Sequence, residues 1–395
     1  SIASTPPLSC APSQHMAAVD ICTCSLQYLR GIGLPIHDSF AAVDAHASYA
    51  DALATEASSL VVAAPQRPNN DLANGSLATE SCPVFVAQAG TNGRPGRLGS
   101  DVKLRRGVEV PQLGLGTFLS KTGSECRNAV VAALLAGYRH IDTAAAYKNE
   151  EDVASGIREA GFLRSDVFIT TKLQANEHGS AEQVRSALDA SLQRLGTDYV
   201  DLFLIHNPKG CNLLEVWPTM LELRDKGLAR SVGISNFGIE QLKGLKAAGL
   251  EAPEVNQIEL HCWWQQWDVV EYHRQEGIAT MAYSPLARGQ RFSTTGDSVL
   301  GKVARDVAAT EAAVAVRWSL QCGHIVIPKS KDPHRIQQNA ADGFVLSEAQ
   351  MAKIRGLDCG FKSMAASSRC MELPWDQVSK PIPEGSVDAG KRGRR

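Results

Sequence analysis

The sequence predicts an α/β fold, a parallel (β/α)8 barrel of the TIM type, from three observations. From about residue 102 onward one unit recurs, a short apolar strand followed by an amphipathic helix. Most of these helices carry an apolar stripe, and glycines close five of them, at Gly137, Gly161, Gly196, Gly227 and Gly277. Eight such units in about 230 residues match a closed barrel of parallel strands inside a ring of helices.

The elements follow in order along the chain. Residues 102–113 alternate around Gly107 and predict a small hairpin, which we expect to close the bottom of the barrel. The eight predicted strands span residues 113–117, 139–143, 167–172, 199–206, 230–235, 255–260, 278–284 and 325–329. The predicted helices between them span residues 124–136, 150–159, 181–195, 213–226, 239–248, 267–276 and 311–321.

The two ends of the chain differ from the barrel in composition. Residues 1–100 are rich in Ala, Ser, Pro and Asn and show neither helical nor strand periodicity, so we predict an unstructured extension or leader there. The barrel domain then comprises residues 101–395. Within it, residues 361–375 are expected to cover the site as a C-terminal substrate loop, ahead of a solvated basic tail, G-K-R-G-R-R.

The composition excludes several functional classes. A net charge near -2 and a pI near 6.6 provide no general attraction for nucleic acid or anionic membranes. No run approaches the roughly 18 apolar residues of a transmembrane helix. The ten cysteines contain no C-x-x-C pair, so they indicate reduced thiols and predict neither a metal site nor a disulfide framework.

The barrel prediction places chemistry at the C-terminal ends of the strands. The second, third and fourth strands end at or beside Asp142, Lys172 and His206, and Tyr147 follows on the loop after Asp142. Because neighbouring strands lie about 4.8 Å apart, these side chains can share one pocket. We expect the Lys172 ammonium to lower the pKa of the Tyr147 phenol from about 10 by roughly two to three pH units. Asp142 would keep Lys172 charged, and a neutral His206 would orient a carbonyl oxygen. Taken alone, Asp142 also fits a turn cap and Tyr147 a packing role.

A phosphate site is predicted after the eighth strand. The G-x-G of the first strand is not followed by the helix-opening glycine of a dinucleotide fingerprint. In I-P-K-S-K-D-P-H-R-I-Q-Q-N, by contrast, the strand ends at Lys329 and Ser330, and Pro333 begins a helix whose N-terminus attracts anions. Arg335 adds a planar guanidinium that suits the 2′-phosphate of NADPH. The alternative is a solvated basic face on a surface helix.

Five motifs in this order resemble the aldo-keto reductase family, including its aldose reductase and diketogluconate reductase groups. They are G-Y-R-H-I-D-T-A-A-A-Y-K-N-E-E, V-F-I-T-T-K-L, D-Y-V-D-L-F-L-I-H, V-G-I-S-N-F and I-V-I-P-K-S. The resemblance implies NADPH-dependent reduction of small aldehydes or ketones by a cytoplasmic monomer. It also implies a catalytic tetrad of Asp142, Tyr147, Lys172 and His206, with Tyr147 as the general acid.

The resemblance further implies the cofactor contacts. Lys329, Ser330 and Arg335 match positions that hold the 2′-phosphate, whereas Gln338 and Asn339 match adenine contacts. The residues assigned to the nicotinamide half are Ser235, Asn236, Gln257, Tyr283, Ser284 and Leu286. Of these, the first three match carboxamide contacts and Tyr283 matches a ring-stacking position. The residues alone also fit Tyr283 in the core and Gln257 as a satisfied buried amide.

The substrate pocket is expected to be less aromatic than in related reductases, which often carry tryptophans around the substrate. This chain has Phe118, Gln174 and Asn207 there, which favours small or polar aldehydes and ketones. The short segment 207–213 is expected to leave one wall of the pocket open.

Two rival functions use the same fold. One is a catalytically idle barrel that binds NADPH as a redox sensor or regulatory subunit, although such a protein would not require a complete tetrad. The other is a metal-dependent hydrolase, but His140, Asp142 and His206 do not provide a convincing ligand shell, so we expect no metal.

Overall fold

Eight parallel strands form one sheet in which each strand pairs with the next along the chain. The computed structural model describes residues 99–174, 179–293, 295–340, 343–364 and 369–379. A bridge between Leu113 and Val326 joins the last strand to the residues ahead of the first, and the Gly116 amide donates to the Pro328 carbonyl at 3.0 Å. The sheet therefore closes into a barrel, and the predicted fold is confirmed.

The eight predicted strands are all present, most of them trimmed by a residue or two at their ends. They are β3 (Leu115–Gly116), β4 (His140–Asp142), β5 (Phe168–Leu173), β6 (Val200–Ile205), β7 (Ala229–Ser235), β8 (Val255–Glu259), β9 (Ala279–Tyr283) and β10 (Ile325–Ile327). Every residue of β4, β5, β6, β8 and β10 is buried. This is expected of parallel strands covered on both faces, which read as continuous apolar runs.

The hairpin of β1 (Asp101–Lys103) and β2 (Glu109–Pro111) precedes the barrel and pairs antiparallel. Leu104 and Val110 are buried in one apolar cluster with Phe168, Val255 and Ile325, which begin barrel strands. The hairpin thus closes the N-terminal end of the barrel, as predicted, and leaves the opposite end for chemistry.

Helices cover the outside of the barrel. They are α1 (Ser124–Leu135), α2 (Glu150–Glu159), α3 (Ala181–Leu195), α4 (Leu213–Asp225), α5 (Ile239–Ala247), α6 (Trp267–Glu276), α7 (Val299–Asp306), α8 (Glu311–Gln321), α9 (Pro333–Asn339), α10 (Glu348–Arg355) and α11 (Trp375–Val378). The seven helices that the sequence predicts end within one residue of their expected positions. Glycines with positive φ follow them, such as Gly196 (φ 61°) and Gly277 (φ 65°), and stop the helix at little steric cost.

Four of these helices lie beyond the seven ranges given by the sequence, although Pro333 was expected to begin α9. Helix α7 contains Gly301, which weakens its helical signal, and it begins with Ser298 as an N-cap. None of the helices in the described ranges is long and apolar enough to cross a membrane. Residues 1–98 and the basic tail lie outside the described residues, so the proposed boundary between residues 100 and 101 stays a prediction.

Candidate active site

The C-terminal mouth of the barrel opens into a cavity of about 600 Å³. Asp142 is the last residue of β4, and Tyr147 ends the short 3-10 helix Ala145–Tyr147 that follows it. His206 comes directly after β6, while Lys172 lies near the end of β5 with its side chain fully buried. Asp142, Tyr147 and His206 line the cavity, whereas Lys172 is buried beneath the lining and contacts Asp142. The structure thus brings the four residues of the expected tetrad to one place.

Lys172 is held by three acceptors. Its Nζ donates to Asp142 Oδ1 at 2.6 Å, to the Thr143 carbonyl at 2.9 Å and to Tyr147 Oη at 3.2 Å. An ammonium has three protons to donate, so this arrangement satisfies all of them. The position of the Tyr147 oxygen is therefore tied, through Lys172, to the end of β4.

The Tyr147 ring lies between two other rings. The Phe118 centroid is 5.1 Å from it, and the His206 ring meets it edge-on at 5.5 Å. Asn149, fully buried at the start of α2, accepts from Thr143 Oγ1 at 2.8 Å and donates to the Thr117 carbonyl at 3.0 Å. Asn149 thus ties together the loops that carry Tyr147 and Phe118, a role that the sequence analysis missed.

One sequence expectation about Tyr147 is wrong. Burial raises the pKa of the Tyr147 phenol well above its usual value, and the negative charge of Asp142 acts in the same direction. Burial also raises the pKa of Asp142 and lowers that of Lys172, while the attraction between the two groups opposes both changes. The expected lowering by Lys172 does not prevail, because desolvation disfavours the phenolate. Tyr147 is therefore a protonated phenol at neutral pH.

Asp142 has a second partner besides Lys172. Gln257 in β8 donates from Nε2 to Asp142 Oδ2 at 2.7 Å, and the same nitrogen lies 2.9 Å from the sulfur of Met281. The Nε2 group of Gln257 is thus a buried amide nitrogen with hydrogen-bond partners, which was one of the two interpretations of this residue from the sequence. The other interpretation, a contact to the nicotinamide carboxamide, stays a prediction. Both oxygens of Asp142 are thus hydrogen-bonded, which fixes the carboxylate against Lys172.

Five of the six residues assigned to the nicotinamide half line one side of the cavity, whereas Gln257 is buried and is not among the lining residues. Asn236 has a positive φ of 64°, and its Nδ2 donates to the His206 carbonyl at 2.9 Å and to Ser235 Oγ at 3.0 Å. Tyr283 donates its hydroxyl proton to Asn236 Oδ1 at 2.8 Å. Ser235, Asn236 and Tyr283 line the cavity together with Ser284 and Leu286. Tyr283 is half-buried, because it also packs against the apolar cluster inside the barrel.

The far end of the cavity is basic. Its lining includes the five residues assigned to the phosphate and adenine, namely Lys329, Ser330, Arg335, Gln338 and Asn339. Burial lowers the pKa of Lys329, with contributions from the positive charges of Lys331 and Arg335, although Glu125 opposes them. Since these like charges destabilise one another, an anion bound among them would be stabilised. The sequence analysis missed Lys331, which lines the cavity and donates to Glu125 Oε2 at 3.0 Å.

The three residues expected to contact substrate do not all reach the cavity. Phe118 lines it, whereas Gln174 and Asn207 are half-buried and are not among the lining residues. The Asn207 side chain instead accepts from the Lys209 amide at 3.0 Å. Leu119 and Met364 take part in the lining. Met364 belongs to the expected C-terminal substrate loop, of which residues 365–368 lie outside the described residues.

His140 is turned away from this site. Its Nδ1 lies 3.3 Å from the Pro111 carbonyl and its Nε2 lies 2.9 Å from Thr170 Oγ1, so both ring nitrogens have partners in the barrel interior. Burial lowers the pKa of His140 to about 3. Within the described ranges no group of three or more His, Cys, Asp or Glu side chains could hold a metal ion.

A closed parallel barrel with these groups at its C-terminal mouth belongs to the class of (β/α)8-barrel proteins that carry their sites at this face. The family model described as "Aldo/keto reductase family" matches residues 112–358. The chain therefore belongs to the aldo/keto reductase family, a family of oxidoreductases.

Named relatives show the same similarity. The chain is 41% identical over 265 residues to a glyoxal reductase of Bacillus subtilis, covering 67% of this chain and 95% of that one. It is 42% identical over 262 residues to the methylglyoxal reductase DkgA of Yersinia pestis, covering 66% and 93%. The crystal structure of a Bombyx mori aldo-keto reductase in complex with NADP is similar with a TM-score of 0.65 and 34% identity, covering 72% of this chain and 99% of that one.

Proposed function

We propose that the protein is an NADPH-dependent reductase that converts the carbonyl group of small aldehydes or ketones into an alcohol. The observation that carries the proposal is the contact between the protonated Tyr147 phenol and Lys172 Nζ at 3.2 Å, with Asp142 at 2.6 Å from the same nitrogen. A proton donor supported by a fixed positive charge suits a reaction in which negative charge develops on a carbonyl oxygen.

The residues around the cavity fit NADPH. Lys329, Ser330 and Arg335 would hold the 2′-phosphate, since a guanidinium fork and an ammonium both suit a phosphate. Gln338 and Asn339 would contact the adenine. At the other end Ser235, Asn236 and Gln257 would hold the carboxamide, and Tyr283 would stack on the ring; Ser284 and Leu286 line the same side. Bound NADPH would supply a hydride from C4 of its nicotinamide to the carbonyl carbon.

The protein's own residues would handle the proton. Tyr147 donates its proton to the carbonyl oxygen as that oxygen gains negative charge, and Lys172 stabilises the phenolate that remains. Asp142 balances the charge of Lys172 in the buried pair. His206, beside Tyr147, would orient the carbonyl oxygen by a hydrogen bond. Since Tyr147 remains protonated at neutral pH, it can give up its proton in this step.

The substrate class we propose is small carbonyl compounds such as methylglyoxal. The two bacterial relatives are named glyoxal and methylglyoxal reductase, and the pocket of this chain is bounded by Phe118, Leu119 and Met364. The net charge of the whole chain, -2, also supports action on small molecules rather than on nucleic acid or membranes. We propose that the protein acts as a monomer.

The test is NADPH oxidation with methylglyoxal, followed by absorbance in wild type and in Tyr147→Phe. We expect turnover in wild type and a loss of at least about 100-fold in kcat for Tyr147→Phe, because general acid catalysis contributes about that much or more. The Kd for NADP, measured by protein fluorescence, should stay within about twofold, because the substitution removes no proposed cofactor contact and a tenfold change in Kd needs about 1.4 kcal/mol.

Tyr272→Phe on the outer helix α6 is the matched control and should retain turnover. NADP binding without any turnover by wild type would favour the redox-sensor alternative. Unchanged turnover in Tyr147→Phe would remove Tyr147 as the proton donor.

A further inference from the structure

Glu259, the last residue of β8, is a buried carboxylate at the catalytic face that the proposed mechanism does not use. Only 1% of it is exposed. Its Oε1 accepts from the Ser363 amide at 2.6 Å, from Ser363 Oγ at 2.5 Å and from the Met364 amide at 3.1 Å. Its Oε2 lies at the same 3.1 Å from the Met364 amide, and His261 Nε2 is 3.3 Å from Oε1.

These contacts keep Glu259 ionised despite its burial. Burial acts to raise the pKa of Glu259, but hydrogen bonds from His261 and Ser363 outweigh it, and the pKa lies below its usual value. Charge-assisted hydrogen bonds of this kind are among the strongest in proteins. The carboxylate therefore acts as a fixed acceptor for a segment that lies about one hundred residues later in the chain.

The bonded segment leads directly into the pocket wall. The Met364 side chain lines the cavity that also contains Tyr147 and His206. Its sulfur accepts from Arg288 Nη1 at 3.2 Å, and Arg288 itself lines the cavity. Because the Met364 amide is bonded to Glu259, the carboxylate sets the depth at which this thioether enters the pocket.

A separate anchor holds the start of the same segment. The amides of Cys359 and Phe361 both donate to the Trp263 carbonyl at 3.1 Å. The backbone of residues 359–361 is thus held by the Trp263 carbonyl, whereas the Glu259 carboxylate binds the part of the segment at Ser363 and Met364. This division lets the contribution of Glu259 be measured separately.

We propose that Glu259 is a positioning residue that selects substrates by fixing Met364 in the pocket wall, an inference that rests on the proposed carbonyl reductase function. A fixed Met364 side chain limits the length of the substrate that fits beside Tyr147. When the hydrogen bonds from Glu259 are lost, the Met364 side chain can move out of the pocket. Longer aldehydes then fit, and small aldehydes lose contacts with Met364. Glu259 acts through Met364 and does not touch the reacting atoms.

The first experiment compares kcat and KM of the full chain for methylglyoxal and hexanal. Glu259→Gln keeps the shape of the side chain but removes its charge, and its NH2 group faces the Met364 amide when its oxygen takes the place of Oε1. We expect the ratio of kcat/KM for methylglyoxal over hexanal to fall about tenfold, the size of one charge-assisted hydrogen bond, mainly through KM. Ser363→Ala, which removes only the hydroxyl contact, should lower the ratio less and serves if Glu259→Gln does not fold.

Met364→Ala supplies the decisive comparison, because it removes the group through which Glu259 acts. It should lower the same ratio, and the double variant Glu259→Gln/Met364→Ala should lower it no further. A general loss of structure would instead lower kcat/KM for both substrates by the same factor, and its effect would add to that of Met364→Ala. Additive effects, or a ratio that Glu259→Gln leaves unchanged, would overturn the proposal.

The second experiment does not depend on activity. Amide hydrogen exchange, resolved to single residues, should be at least about tenfold faster at Ser363 and Met364 in Glu259→Gln than in wild type, since their acceptor is weakened. Cys359 and Phe361 should keep their protection and act as internal controls. Unchanged exchange at Ser363 and Met364 would overturn the anchor itself. If wild type reduces neither substrate while the exchange result holds, the proposed function fails but the anchor stands.

Discussion

At Tyr147, burial and the nearest negative charge act in the same direction on the pKa of the phenol. Enclosure and the Asp142 carboxylate raise its pKa, while Lys172 Nζ lies 3.2 Å from its oxygen. A phenol ionised in advance would have no proton to donate. In the proposed mechanism, Lys172 therefore matters most after the proton transfer, when it would stabilise the phenolate that is formed. The two hydrogen bonds that Asp142 receives, from Lys172 and Gln257, hold this charge pair in place.

Arg335 is the residue at which cofactor choice can be tested. Its side chain is 65% exposed, lines the basic end of the cavity and lies 3.7 Å from Asp332. In Arg335→Met we expect the Kd for NADPH to rise by roughly 10- to 100-fold, as for the loss of a hydrogen bond to a charged group, with little change for NADH. Fluorescence titration with both cofactors measures this.

Arg335→Lys is the matched control for that comparison. It keeps the charge but not the planar fork, so the loss of NADPH affinity should be smaller. Equal losses for NADPH and NADH in Arg335→Met would refute the assignment of the 2′-phosphate to this end of the cavity.

At the scale of elements, Gly244 governs how α11 packs on α5. A Cβ at Gly244 would overlap with the indole ring of Trp375, so the helix pair requires glycine there. Gly244→Ala should therefore lower the free energy of unfolding by roughly 1–3 kcal/mol, as overpacking does. In a Trp375→Ala background the same change should be neutral or stabilising by up to about 1 kcal/mol, because alanine is the better helix former. Urea unfolding of the four proteins measures both effects, and the same sign in both backgrounds would contradict the packing argument.

The elements themselves were largely predictable because their signals are local. Apolar runs gave the eight strands, and glycines that adopt positive φ, such as Gly196, fixed helix ends to within one residue. Helix α7, with Gly301 inside eight residues, lacked such a signal. Helix α10 does have a local signal, the capping box of Ser347 and Gln350, although the sequence analysis did not predict the helix from it.

The candidate site was predictable only as far as strand ends determine it. The barrel rule brought Asp142, Lys172 and His206 together correctly. It could not show that Gln257 bonds to Asp142, or that Glu259 bonds to Ser363, because these partners lie 115 and 104 residues apart and meet only after the barrel closes. The direction of the pKa change at Tyr147 likewise depends on burial, which no local pattern reveals.

At the scale of the whole molecule, burial of histidines determines how the fold responds to acid. His140, His273 and His324 are buried, and desolvation lowers their pKa values to about 3, about 3 and about 4. Unfolded histidine has a pKa of about 6.5, so below that pH the unfolded chain binds more protons than the folded one. The stability that these neutral side chains contribute is fully present above about pH 6.5 and is lost as the pH falls.

The expected size of the loss makes this a sharp test. Each such histidine costs about 1.4 kcal/mol per pH unit well below pH 6.5, so three cost about 4 kcal/mol per unit, a large part of a typical stability of about 5–15 kcal/mol. Urea unfolding at pH 7.5, 6.5, 5.5 and 5 should therefore show uptake of nearly three protons from these residues at the acid end. His324→Asn is the control: its Nδ1 lies 3.2 Å from Ser319 Oγ, a contact that asparagine can retain, and the slope should fall by about one proton. A free energy of unfolding that does not change between pH 6.5 and 5 would show that the folded protein does not hold these imidazoles neutral. Burial would then not lower the pKa of His140 and its two counterparts as argued above.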